Sequence, residues 1–228
     1  MTGVQWEYIF DFQLAIDSLP FIMQGIWYTL FISIVSMALG LAMSLFLALA
    51  RSSHRFYFRW PARVYISFMR GVPILIILFL LYFGFPYINI EFNAVTAAVI
   101  GFSFNSAAYM AEINRSAIAA VPKGQWESAR SLGFTYPLMM RRIVLPQAFR
   151  IALPPLTNVG LDLIKASSLA AMISVPEIFQ MARTVAGREL DYMTMFILVA
   201  LIYWAICSVM TLLQNYLEHR YKKYGEIS

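Results

Sequence analysis

The sequence predicts an all-α integral membrane protein with five transmembrane helices. Hydrophobic residues make up 61% of the 228 residues and charged residues only 13%, whereas soluble domains are about half apolar and a quarter charged. The apolar residues also gather into runs of roughly 20 residues or more, the length that a helix needs to cross the hydrocarbon core. We therefore expect a multi-pass membrane protein that forms a single domain, residues 1–228.

Five apolar runs are candidates for the spanning helices. They cover residues 18–50, 71–90, 92–111, 151–175 and 192–217. The first run is longer than a bilayer requires, so tilt or an external amphipathic lead-in must absorb the excess. Pro73 predicts a break near the start of the second run, because proline restricts the residue before it. The fourth run is the least regular, since it contains Asp162 and Lys165.

The distribution of basic residues predicts the orientation in the membrane. Fourteen of the 17 Lys and Arg residues lie in segments 51–70 and 115–150 and after residue 217. Basic loops stay on the cytoplasmic side, which predicts an external N-terminus and a cytoplasmic C-terminus. The N-terminal segment has no Lys or Arg before Arg51, unlike the basic start of a secretory signal peptide.

Several function classes are disfavoured by the sequence. The net charge of +5 is explained by short basic loops beside lipid headgroups, so we expect membrane lipid and no nucleic acid as a partner. The sequence has no G-x-S-x-G or H-E-x-x-H motif, and His54, His219 and Cys207 lack metal-ligand spacing. We expect no enzyme activity, no cofactor and no metal site.

Residues 112–150 form an unusually long connection between the third and fourth runs, and such loops are commonly functional. Pro122 precedes a predicted short helix at 125–132, and Gly133 is placed to end it with a left-handed cap. Thr135 and Pro137 then predict the start of a second helix. The expected structure is a helix, a sharp bend and a helix.

The apolar spacing on this pair of helices allows two interpretations. Trp126, Ala129 and Leu132 recur at three- and four-residue intervals, so the pair could seat in a groove of another protein. Alternatively, the pair is an interfacial segment that lies on the membrane surface.

Several motifs resemble those of a known family. Glu127-Ser128-Ala129, then Gly133, Ile143 and Leu145-Pro146 resemble the cytoplasmic loop of ABC importer permeases, whose pattern is E-A-A, three residues, G, nine residues, I-x-L-P. Ser128 replaces the usual alanine. Segment 69–73 is similar to the F-R-G-T-P start of helix two in that family, and segment 105–115 is similar to helix three of polar amino acid permeases.

The resemblance implies the architecture of a type I ABC importer permease in a bacterial cytoplasmic (inner) membrane, with a coupling loop at about 115–146. It also implies four kinds of partner: two nucleotide-binding ATPase subunits, a second permease subunit that is identical or related, an external solute-binding protein, and a polar amino acid as substrate. The residues expected to couple to the ATPase are Gln125, Glu127, Ser128, Ala129, Gly133 and Pro146. The absence of a G-x-x-x-x-G-K-[ST] motif fits ATP hydrolysis in another chain. Segments 123–127 and 152–156 are similar to cystine-type permeases.

Charged residues within spanning helices cost about 2.5 to 3.5 kcal/mol each on insertion scales, so they mark either a pair or a pathway. Asp162 and Lys165 are three residues apart, on one helix face. They either form an ion pair without a ligand or bind the amino and carboxylate groups of a substrate. Asn105, Tyr109 and Asn158 either hydrogen-bond a zwitterion or join helices together. Related permeases often carry an acid after the asparagine aligned with Asn158, where this sequence has valine.

A stand-alone secondary transporter or channel is the alternative function, because a charge pair among spanning helices is also expected in an ion-coupled carrier. Such carriers often contain internal repeats. The lack of a visible repeat and the match to the coupling-loop pattern favour the importer permease.

Overall fold

The computed structural model describes the backbone of residues 9–222 and the side chains of residues 9–216. Ten α-helices follow one another in this part of the chain. They are α1 (Phe12–Met23), α2 (Ile26–Ser52), α3 (Phe56–Gly71), α4 (Ile74–Phe79), α5 (Ala94–Ala119), α6 (Lys123–Ser131), α7 (Tyr136–Met139), α8 (Leu145–Ala166), α9 (Ile178–Glu189) and α10 (Tyr192–Lys222). Leu80–Gly84 and Met140–Val144 are π-helical, and Phe85–Ile88 and Ser167–Ile173 are 3₁₀-helical.

Four helical segments are long and apolar enough to cross a membrane. They are Ile26–Ser52, Ala94–Ala119, Tyr136–Ile173 and Tyr192–Tyr216. The pair Phe56–Gly71 and Ile74–Ile88 makes a fifth span if the broken pair counts as one. The break lies at Val72, whose φ of −98° and ψ of 131° are extended, as expected for the residue before Pro73. The predicted all-α class with five spans is confirmed.

Several spans differ in their bounds from the prediction, and the first and fourth illustrate how. The first run begins with the separate helix α1, which stops before Gly25, and α2 starts at Ile26. The fourth span starts at Tyr136 rather than at residue 151. Arg141, Arg142 and Arg150 lower the hydropathy of that stretch, so hydropathy alone starts the span later, although Thr135 and Pro137 predicted the start of a helix at this point.

The helices form two compact units. The first contains the described residues up to 36, with 74–102 and 161–211. Its apolar core joins α1, α9 and α10 through Ile22, Val185, Met195 and their neighbours. Asp11 caps α1 by accepting a 2.9 Å hydrogen bond from the Leu14 N–H, because the first amides of a helix have no partner within it.

The second unit contains residues 37–73, 103–160 and those from 212 onward. Small and polar residues bring α2 and α5 close together in it. A Cβ at Gly40 would overlap the Ser106 hydroxyl, and Asn114 Nδ2 donates to Ser44 Oγ at 2.9 Å. Such close approach and interhelical hydrogen bonding are typical of helix pairs in membranes. α6 and α7 belong to this unit, which therefore contains the predicted coupling loop.

Candidate functional site

Gly133 ends α6 and creates the bend of the predicted coupling loop. Its φ is 77°, in the left-handed region that glycine enters at little cost. The Gly133 N–H donates to the Arg130 carbonyl at 2.9 Å and the Phe134 N–H donates to the Ala129 carbonyl at 3.1 Å. These two bonds form a Schellman cap. A Cβ at Gly133 would meet nothing within 4 Å, so the need for glycine comes from the backbone alone.

The inner side of the bend is a small apolar interface. Ala129, Met139 and Val144 are buried, and the Trp126 ring stacks on Tyr136 with 6.5 Å between ring centroids. In the predicted docking stripe, Ala129 is buried and Trp126 is half-buried, and docking to another protein stays a prediction. Their helical spacing serves contacts within the chain, between α6 and the helical turns that follow the bend.

The outer side of the bend is exposed. Of the six residues expected to couple to an ATPase, five lie on the surface: Gln125, Glu127, Ser128, Gly133 and Pro146. Leu132 adds an apolar side chain that is 72% exposed. Gln147 Nε2 donates to Gln125 Oε1 at 3.1 Å, which ties α6 to α8. The loop thus presents a mixed polar and apolar surface, and its backbone is held by the Gly133 cap, the Trp126–Tyr136 stack and the Gln147–Gln125 hydrogen bond.

A shared ion pair joins α2 to α5 near the coupling loop. Arg51 Nε lies 2.8 Å from Glu112 Oε1, which is an ion-pair distance. The two groups are not aligned for a hydrogen bond, and Glu112 Oε1 accepts none from the described residues. Arg115 Nε and Nη2 each lie 3.3 Å from Glu112 Oε2. Two guanidinium groups therefore share one carboxylate, so the triad keeps a positive charge. The basic pattern of the sequence did not reveal this arrangement.

The polar candidates of the second unit each have a partner within the chain. Asn105 Nδ2 donates to the Met69 carbonyl at 2.7 Å. The Tyr109 ring lies below Arg70, whose guanidinium carbon is 5.4 Å from the ring centroid, a cation–π distance. Asn158 Oδ1 accepts from Gln214 Nε2 at 3.2 Å. All three side chains join helices, which was one of the two roles that the sequence left open.

The charged candidates of the first unit form an ion pair. Lys165 Nζ lies 2.8 Å from Asp162 Oδ1, and the two side chains are 59% and 71% exposed. They are thus on the surface of the chain rather than in its packed interior. Because both residues lie in a candidate membrane span, their charges need each other, a partner or a polar pathway.

Glu177 is a buried acid that the sequence analysis missed. It caps α9, with its carboxylate accepting from the Phe179 N–H at 2.9 Å and the Gln180 N–H at 2.7 Å. The Tyr203 hydroxyl donates to it at 2.7 Å. Burial outweighs these hydrogen bonds and raises the pKa of Glu177 from 4.5 to about 7. The signal was its position after Pro176, directly before a helical pattern.

Within the described residues, no group of three or more His, Cys, Asp or Glu side chains is arranged to hold a metal ion. Cys207 is a free, half-buried thiol on α10.

Comparison with known proteins adds three similarities. The sequence model of the family described as "binding-protein-dependent transport system inner membrane component" matches residues 40–223. The probable amino-acid ABC transporter permease protein YckA of Bacillus subtilis (strain 168) is 66% identical over 224 residues, 98% of this chain and 99% of that protein. The L-cystine transport system permease protein TcyB of the same organism is 42% identical, covering 98% of this chain and 94% of that protein.

A solved structure has the same fold. A chain in the crystal structure of an amino acid ABC transporter with histidines superimposes with a TM-score of 0.88 at 33% identity. The match covers 92% of this chain and 98% of that one.

Proposed function

The chain belongs to the family of binding-protein-dependent transport system inner membrane components, among the amino-acid ABC transporter permeases, and from this premise we propose that it forms the translocation pathway of an ATP-driven importer of a polar amino acid. The family match over residues 40–223 is the observation that carries the proposal. It favours a permease subunit over the stand-alone transporter or channel that the sequence left open.

The coupling loop is proposed to transmit motion from the ATPase subunits. Its outer face is exposed at Glu127 and Leu132, and its bend is held by the cap at Gly133 and by the Trp126–Tyr136 stack. A segment that is rigid and exposed is suited to pass a displacement on to the helices attached to it. ATP hydrolysis itself takes place in the separate nucleotide-binding subunits.

The proposed assembly contains two ATPase subunits, a second permease subunit that is identical or related, and an external solute-binding protein. The words "binding-protein-dependent" in the family description support the last of these. The chain is placed with its N-terminus outside and its C-terminus in the cytoplasm, since 14 of 17 Lys and Arg residues then face the cytoplasm. This orientation puts the coupling loop on the side where ATP is available.

Cystine is the first amino acid to test as substrate. The support is the 42% identity to a protein named for L-cystine transport and the similarity of segments 123–127 and 152–156 to cystine-type permeases. Transport is tested with the chain, its ATPase and its binding protein reconstituted in vesicles, offered a panel of labelled amino acids. Uptake must require ATP. Uptake by the chain alone, driven by an ion gradient, would contradict the importer assignment.

Asp162 and Lys165 are proposed to bind the amino and carboxylate groups of the amino-acid substrate. An ammonium group would take the place of Lys165 at the Asp162 carboxylate, and a substrate carboxylate would take the place of Asp162 at Lys165. Asn105, Tyr109 and Asn158, which belong to the second unit, are proposed separately as substrate-pathway residues, although each holds an internal partner that a substrate must share or displace.

A charge swap separates recognition from a structural ion pair. We expect Asp162→Asn to raise the half-saturating substrate concentration for ATPase stimulation about tenfold or more, since a charged hydrogen bond contributes on the order of 1.5 to 3 kcal/mol. The double variant Asp162→Lys with Lys165→Asp restores the pair but should not restore that concentration. The control swaps Arg188 and Glu189, another exposed pair at 2.7 Å. If the 162/165 swap returned wild-type half-saturation, these residues would have no role in recognition.

A further inference from the structure

A cavity of about 670 Å³ lies beside the coupling loop in the second unit. Its walls come from the end of α2, from α3, from the end of α5 and from α6. Cationic side chains dominate the lining: Arg51, Arg63, Arg115, Lys123 and Arg130. The lining also includes the carboxylate of Glu127, which opposes the binding of an anion, but five cations outnumber it.

The positive charge of this cavity is not neutralised within the described part of the chain. Arg51 and Arg115 share the single carboxylate of Glu112. The side chains of Arg63, Lys123 and Arg130 form no hydrogen bond or ion pair with any described residue, and all three are exposed. Bringing like charges together raises the free energy unless a counter-ion binds. The cavity therefore favours an anionic occupant.

The kind of cation indicates the kind of anion. Four of the five are arginines, whose planar guanidinium groups donate pairs of parallel hydrogen bonds to phosphate oxygens. The remaining cation, Lys123, adds a mobile ammonium group. A phosphate has enough oxygen atoms to accept from several such donors at once, so it can engage cations from more than one wall.

One wall of the cavity also carries a surface suited to a membrane interface. α3 contributes Arg63 to the lining, and its first turns expose four aromatic side chains: Phe56, Tyr57, Phe58 and Trp60. Aromatic residues gather at the level of lipid headgroups. An amphipathic helix with basic and aromatic residues lies in the plane of that interface. Lipid phosphates are thus expected at the same level as the cavity.

We propose that this cavity binds a phosphate-bearing group, with the phosphate of an anionic phospholipid as its main source. The occupant neutralises the cationic side chains of α6 and links α6 to α3. Because binding can be measured on the purified full-length chain, the test does not depend on transport or on the identity of the transported amino acid.

Native mass spectrometry of the detergent-purified chain provides the test. The chain is incubated with equal concentrations of phosphatidylglycerol and phosphatidylcholine, and the bound lipids are counted. Both lipids carry a phosphate, but the choline group of the second cancels its charge. We expect wild type to retain phosphatidylglycerol preferentially. The double variant Arg63→Gln with Arg130→Gln should bind it about tenfold more weakly, since each Lys or Arg near an anionic headgroup contributes appreciably to binding.

The matched control is the double variant Arg55→Gln with Arg142→Gln. It loses the same charge from the second unit, and neither residue lines the cavity. It should bind phosphatidylglycerol as wild type does. Equal weakening in both double variants would mean attraction by overall charge and would overturn the proposal. If the Arg63/Arg130 variant failed to elute as a folded protein, the single change Lys123→Gln would replace it, with an expected loss of a few-fold.

A second arm identifies the source of the phosphate. The chain is titrated with glycerol 3-phosphate and, separately, with inorganic phosphate. Binding of a soluble phosphate that the Arg63/Arg130 variant weakens, without retention of phosphatidylglycerol, would support the cavity as a site for a phosphorylated metabolite. Retention of phosphatidylglycerol supports the lipid source. If wild type and the cavity variant bound all three probes equally, the proposal would be wrong.

Discussion

Glu177 places a carboxylate inside the first unit, where water does not reach it. Two backbone N–H groups and the Tyr203 hydroxyl donate to it, yet burial still raises its pKa to about 7. The folded chain therefore holds a proton at Glu177 over a pH range in which the unfolded chain has released it. Linkage then makes the stability of the fold depend on pH.

Between pH 4.5 and 7, the folded state binds more protons at Glu177 than the unfolded state. The stabilisation from this site is complete below pH 4.5 and is lost as pH rises toward 7, by up to about 3 kcal/mol. We expect the Tm of the detergent-purified wild type to fall relative to that of Glu177→Gln as pH rises from 5 to 8. Glu189→Gln, an exposed change on the same helix, is the control. Parallel Tm curves for wild type and Glu177→Gln would refute the shift.

The element on which the proposed coupling depends is the capped bend between α6 and α7. The sequence predicts it because a glycine follows a short amphipathic stretch, and a left-handed residue is required to turn the chain there. Three kinds of contact stabilise the bend: the backbone cap at Gly133, the Trp126–Tyr136 stack and the Gln147–Gln125 hydrogen bond. The cap is the part that one substitution can remove without steric conflict.

We expect Gly133→Val to impair coupling, because a β-branched residue at positive φ costs on the order of 1 to 2 kcal/mol and the chain relaxes to another turn. The reconstituted complex should hydrolyse ATP but transport several-fold less amino acid per ATP. Gly133→Asn is the matched control, since asparagine tolerates the left-handed region. The proposed lever would be ruled out if both variants transported as much per ATP as wild type does.

At the scale of the whole molecule, the distribution of basic residues predicts the orientation in the membrane. The connection before α5 contains Glu91 and no basic residue, whereas residues 115–150 contain six of the 17 Lys and Arg. With five spans, the first connection is expected outside the cell and the second in the cytoplasm.

Cysteine labelling tests this orientation, because Cys207 is the one cysteine in the sequence. In a Cys207→Ala background, Glu91→Cys should react with a membrane-impermeant thiol reagent added to intact cells. Lys123→Cys should react only after the membrane is permeabilised. The reverse pattern would place the coupling loop outside and would exclude contact with a cytoplasmic ATPase. The Cys207→Ala chain, which has no cysteine, is treated in the same way and gives the background labelling.

The sequence by itself determined the properties that depend on neighbouring residues. Length and hydropathy predicted the spans, Pro73 the break before α4, and Gly133 the bend, because each is a local requirement of the backbone or of the bilayer. The motif around Glu127 indicated the family. Hydropathy misplaced the start of the fourth span, because Arg141, Arg142 and Arg150 make the first part of that span less apolar.

Only the tertiary structure decided which distant side chains meet. Glu112 joins Arg51, which lies 61 positions away in the sequence, and Asn105 reaches the carbonyl of Met69 on α3. The burial of Glu177 and the gathering of five cations around one cavity also depend on helices that are far apart in the chain. Helical periodicity tells which face a residue occupies, but helix packing alone decides what that face touches.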